Sequence, residues 1–89
     1  MTRYVAVCKE SKVTDDDFKG RLDRIRKWRP DRRTWIIKAY YARDEGKIIV
    51  ECETPDKAHF EQWLADTEWP VDDIYEVHLI HEAGTIWPL

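Results

Sequence analysis

A chain of 89 residues is the length of one domain, and a domain this small leaves much of its surface unburied, so a stabilising dimer is a natural expectation. Charged residues make up 37% of it, with a formal net charge of -3, and nothing approaches the ~18 consecutive apolar residues that span a bilayer, which excludes a transmembrane helix. Two cysteines, Cys8 and Cys52, are too few for a disulfide scaffold and read as free, buried thiols; with no signal-peptide run at the N-terminus, a cytoplasmic protein is expected.

In chain order, Arg3 to Lys9 is a β-branched and aromatic run that reads as a first strand. Thr14 is placed to cap a helix whose first turn holds Asp15, Asp16 and Asp17, carboxylates suited to the positive helix end; Phe18, Leu22 and Ile25 form its apolar stripe, with Trp28 on the flank, and Pro30 ends it. Thr34 to Ala42 and Lys47 to Glu53 are strand-like, and Arg43 to Gly46 between them reads as a hairpin turn with Gly at a position of positive φ. A second helix is expected from Thr54 as N-cap and Pro55 as first residue, with a core stripe of Phe60, Trp63 and Leu64. Asp73 to Glu82 alternates as one final strand. The order is thus β-α-β-β-α-β over residues 1 to 82, followed by a tail, 83 to 89, that packs on the sheet or on a partner subunit.

A turn without a bulge pairs Ala42 with Lys47, Tyr40 with Ile49, Lys38 with Glu51 and Ile36 with Glu53. One face then holds Trp35, Ile37, Ala39, Ile48, Val50 and Cys52 and belongs under the helices. The other carries Ile36, Lys38, Tyr40, Ile49, Glu51 and Glu53, joined from the last strand by Glu76, His78 and Ile80. A single extra residue in the hairpin would reverse every assignment beyond it, and strand one is compatible with either orientation, so the face of Cys8 stays open. Two helices cover only one side of a four-stranded sheet, and a half-apolar uncovered face suits a second copy; Ile36, Ile49, Ile80 and Trp87 are the interface candidates.

This element order, the short length and the amphipathic open face resemble the dimeric α+β barrel branch of the ferredoxin-like fold. The stretches from Tyr40-Tyr41 through Lys47, Thr54-Pro55-Asp56 and Trp69 through Val77 are similar to a family of small uncharacterised bacterial proteins sometimes described as nickel-binding. The resemblance implies a ferredoxin-like α+β domain, a four-stranded antiparallel sheet with two helices on one face, acting as a homodimer.

Three functional readings follow. In the first, a ligand- or metal-binding accessory domain, Glu51, His78 and Cys8 converge on the open face, with Lys38, Tyr40 and Glu76 nearby and the Trp87 tail closing over them; imidazole, carboxylate and thiolate suit nickel, zinc or another divalent transition metal. The plainer account of the same residues pairs Glu51 with Lys38, seats His78 at a dimer seam and makes Cys8 a small buried hydrophobe. In the second, His78 with Glu76 or Glu51 is the acid/base pair of a small cofactor-free enzyme, isomerase or monooxygenase-like, acting on a small-molecule ligand. In the third, nucleic acid binds the basic first helix: Lys19 to Arg33 holds eight basic residues against Asp23 and Asp31, and Arg24, Arg26 and Arg29 would meet phosphates. Glu51 and Glu53 on the sheet oppose that reading, and no membrane partner is expected.

Overall fold

The computed structural model describes residues 1–9 and 13–89. Strands β1 (Thr2–Lys9), β2 (Trp35–Ala42), β3 (Lys47–Thr54) and β4 (Val71–Glu76) form one antiparallel sheet in the order β2-β3-β1-β4, with helix α1 (Asp15–Trp28) between β1 and β2 and α2 (Lys57–Asp66) between β3 and β4. Two further strands, β5 (Leu79–Glu82) and β6 (Thr85–Pro88), pair only with each other. Among the described residues no helix is long and apolar enough to cross a membrane.

Both helices lay their apolar stripes on one face of the sheet. Tyr4, Ala6 and Cys8 of β1 stand opposite Cys52, Val50 and Ile48 of β3, and these six pack with Ile25 of α1 and Phe60, Trp63 and Leu64 of α2 into a core of buried residues. Complete burial of a side chain such as Phe60 or Ile48 contributes roughly 1.5–3 kcal/mol relative to exposure, so this layer supplies most of the drive to fold. The aromatic rings are ordered within it: Phe60 stacks between Tyr4 and Trp63 at centroid distances of 5.6 and 6.2 Å. The stripe expected for α1 faces this core through Phe18, Leu22 and Ile25, while Trp28 stays exposed.

Local signals set the element ends. Thr14 and Asp17 form a reciprocal capping box at the start of α1, satisfying two amide donors that the first turn leaves free. The β2-β3 connection is a single 3-10 turn, Arg43–Glu45, closed by Gly46 at φ 62, and it pairs Ala42 with Lys47 as expected. Helix α2 begins later than Thr54 and Pro55 suggested. Its cap is Asp56, whose carboxylate accepts from the His59 amide, and Thr54 is the buried last residue of β3, its hydroxyl 3.0 Å from that of Thr34.

Two features of the sheet depart from the alternation expected of it. The β2-β3 register is as expected from Lys38 to Ala42, but a bulge between Ile36 and Lys38 sets Ile36 opposite Cys52 and Trp35 opposite Glu53. Ile36 therefore packs against the core and leaves the open face, while Trp35 and Ile37 are exposed. The last strand is not continuous: β4 ends at Glu76, and its pairing with β1 puts Ile74 and Glu76 on the helix side, opposite Ala6 and Tyr4, and Tyr75 on the other side, opposite Val5. Glu76 thus leaves the open face on which it was expected, and Tyr75 lies there instead.

The segment 83–89, expected as a tail, is the second half of a hairpin. Glu82 pairs with Thr85 across a two-residue turn in which Ala83 (φ 51) and Gly84 (φ 84) both take positive φ, the conformation whose twist matches that of the flanking strands. The Leu89 amide donates to the His78 carbonyl at 2.8 Å and closes the open end.

Candidate functional site

The site is built on the sheet face that carries no helix. Arg3, Val5 and Val7 of β1 lie there, opposite Glu53, Glu51 and Ile49 of β3, with Lys38 and Tyr40 of β2 beyond Glu51 and Ile49. At its centre the Arg3 guanidinium forks between two carboxylates, Nη1 donating to Glu51 Oε2 at 2.7 Å and Nη2 to Glu53 Oε1 at 2.9 Å. Arg3 and Glu51 are each only 15% exposed, although no helix covers them. Burial works against the charge on Arg3, and the hydrogen bonds and attraction of Glu53 and Glu51 outweigh it, holding the guanidinium above its ordinary pKa. The Arg3 Nε is buried without a hydrogen-bond partner.

The β5-β6 hairpin is joined to this face at two points. The Val77 amide donates to the Arg3 carbonyl at 2.9 Å, fixing the base of the hairpin beside β1, and at its far end Glu82 Oε1 lies 3.9 Å from Lys38 Nζ on β2. The hairpin therefore crosses the sheet from the β4 edge to the β2 edge. Ile80 and Trp87 are cross-strand partners, and Ile80 shares its side of the ribbon with Glu82, so this pair faces the sheet while Leu79 and Ile86 face away.

The candidates named from the sequence are only partly brought together. Lys38 and Glu51 are neighbours as expected, but Glu51 is engaged by Arg3 and Lys38 by Glu82. Tyr40 sits opposite Ile49 and both are exposed. Cys8 lies in the core beside Ile48, on the opposite side of the sheet from Glu51. His78 follows the end of β4 and pairs with Glu76 at 2.6 Å (Nε2 to Oε2), an exposed imidazole-carboxylate contact in which neither Arg3 nor Glu51 takes part. Ile80 and Trp87 belong to the hairpin and not to the four-stranded sheet. Among the described residues no three His, Cys, Asp or Glu side chains converge as a metal ion would require.

Arg3 is the residue that the sequence reading missed. The available signal was the pair Glu51 and Glu53 on one face of β3, a doubled carboxylate with one lysine to meet it, which asks for a cation from the neighbouring strand. On the basic helix, Arg26 and Lys27 both bind Asp23, at 2.8 and 3.0 Å, and hydrogen bonds from the two hold that carboxyl below its usual range. Arg24 is exposed, and Arg29 lies with its guanidinium 4.9 Å from the centre of the Trp35 ring.

No protein-family model matches the chain, and no curated protein matches it. Among solved structures it is similar to the crystal structure of SCO4226 from Streptomyces coelicolor A3(2), with a TM-score of 0.78 and 18% sequence identity, over 89% of this chain and 99% of that one. At that identity the likeness is one of fold: two helices and a four-stranded antiparallel sheet.

Proposed function

We propose that this chain is a ferredoxin-like subunit of a homodimer, joined through the helix-free face and the outer surface of the hairpin, and that it acts as a ligand- or metal-binding accessory domain. The strand order with both helices on one side is what a split β-α-β arrangement produces. The observation that carries the reading is the apolar surface left on the other side: Tyr40, Ile49 and Tyr75 on the sheet and Leu79 and Ile86 on the hairpin are all exposed, Leu79 by 66% and Ile86 by 68%. A small domain gains by covering such a surface with its own copy, because an isologous contact buries each residue twice.

Native mass spectrometry of the untagged protein tests it. The expected species has twice the chain mass, and Ile49→Asp or Leu79→Glu reduces it to one chain; Leu79 is so exposed that its substitution leaves the fold intact. A wild-type protein of single-chain mass overturns the reading. The same spectrum reports on metal: a stoichiometric increment removed by a chelator would assign a divalent transition metal, with Glu76 and His78 as the first pair to replace.

A further inference from the structure

At the β2 edge of the sheet, an open cleft of about 420 Å³ lies where the last turns of α1 meet the start of that strand. Leu22 and Ile25 of α1 and Trp63 of α2 line it with apolar surface, Trp35 stands at its wall, and Arg26 and Arg29 are at its rim. That volume lies within the usual range for small-molecule sites, and an apolar lining with few polar groups is their usual composition.

Three features of Arg29 bear on this cleft. Among the described residues its guanidinium has no carboxylate partner, unlike Arg26, which binds Asp23. It is held against the Trp35 ring, so one of its faces is already withdrawn from water. Its backbone takes φ 47 and ψ 71 at the end of α1, a left-handed conformation that glycine adopts without strain and other residues do not. Glu68 (φ 61) and Ala83 (φ 51) share that conformation, so it is the first two features that single out Arg29. The third charge on the rim, Asp31, is met within its own loop: its carboxylate accepts from the Arg33 amide at 2.9 Å and the Thr34 hydroxyl at 3.0 Å, and the Arg33 guanidinium lies 3.7 Å from it. What remains is one free planar cation over an aromatic wall, at the mouth of an apolar cleft.

We propose that this cleft is a binding site for a small aromatic carboxylate, its ring against Trp35 and Leu22 and its carboxylate on the fork of Arg29. A guanidinium meets a carboxylate through two parallel N-H donors, and the indole behind it fixes the plane of that fork. The ring of the ligand supplies the apolar area that the cleft leaves uncovered.

The probe is 1-naphthoate, titrated into labelled protein and followed by amide and indole NMR shifts, beside its neutral isostere 1-naphthalenemethanol. Saturable shifts are expected at residues 22 to 36 and at the Trp63 indole. Arg29→Gln and Arg29→Gly are each expected to weaken naphthoate by roughly tenfold or more, the loss of a charge-assisted hydrogen-bonded pair, without changing the weak binding of the alcohol. Arg29→Gly relieves the left-handed backbone, so its lost binding cannot be put down to unfolding. Equal naphthoate affinity in wild type and both variants, equal affinity for acid and alcohol, or no saturable shift up to the solubility limit would each overturn the assignment. None of these outcomes depends on whether the protein dimerises through its sheet.

Discussion

Lys38 and Glu82 meet at 3.9 Å across 44 positions of sequence, and that contact ties the tip of the C-terminal hairpin to the far edge of the sheet. Both side chains are about half exposed, so the pair adds little energy: exposed ion pairs contribute at most about 1 kcal/mol. It marks where the hairpin lies, and the apolar pair Ile80 and Trp87 is on the same side of the ribbon as Glu82.

Replacing Glu82 by Ala should therefore lower stability by no more than about 0.5 kcal/mol and leave the hairpin in place. Trp87→Ala should detach it. Hydrogen exchange distinguishes the two: amides of residues 79 to 88 exchange much faster in Trp87→Ala and nearly as in wild type in Glu82→Ala. Equal protection in both variants would show that Trp87 does not anchor the hairpin.

Arg3 should be the most sensitive charged residue in the chain. Arg3→Met leaves Glu51 and Glu53 side by side, one of them 15% exposed, with no cation between them, and should cost about 2–4 kcal/mol in urea unfolding. Adding Glu51→Gln and Glu53→Gln should return much of that loss, since the burden is the unpaired charge and not the missing packing. A triple variant as unstable as the single one would contradict this.

Both thiols should resist modification in the folded protein. Cys8 and Cys52 are fully buried, and burial first, then the negative Glu51 nearby, pushes the Cys52 thiol far above its ordinary pKa. A thiol-disulfide reagent should label neither residue until denaturant unfolds the chain, when both react together. Rapid labelling of one cysteine under native conditions would place it outside the core.

Acid should destabilise the protein through a small set of carboxylates. The amide hydrogen bond from Arg33, with the Thr34 hydroxyl in support, holds the Asp31 carboxyl below its usual range, and the His59 amide and ring do the same for Asp56. A carboxylate whose pKa is lowered by folding stabilises at pH values above its unfolded pKa of about 4, and that contribution is lost as pH falls through the lower folded value. The urea midpoint should be level from pH 7 to about 5 and fall below about pH 4, with a shallower fall in Asp31→Asn. An unchanged slope in that variant would remove Asp31 from the set.

Much of the fold was legible because local chemistry decides it. The cap at Thr14 and Asp17, the turn ending at Gly46, and the stripes Phe18-Leu22-Ile25 and Phe60-Trp63-Leu64 each depend on residues within a few positions of one another, and all are present. The pairing of Lys38 with Glu51 followed from the turn for the same reason. The site was legible only in part, since Glu51 and Lys38 stand where expected while Arg3, their central partner, comes from a strand nearly fifty residues away.

Composition and local pattern alone determined the two helices and the first three strands of the chain. Tertiary structure decided which side chains share a face. Alternation along Asp73 to Glu82 fits either orientation of that strand, and only pairing with β1 turned Tyr75 outward and Glu76 toward Tyr4. One bulged residue at Ile37 moved Ile36 into the core and Trp35 out of it, because the side-chain period of a strand is two and any insertion reverses what precedes it. The break after Glu76, which turned a tail into a hairpin, is also a matter of pairing: Leu79 to Glu82 pairs with Thr85 to Pro88 and not with β1.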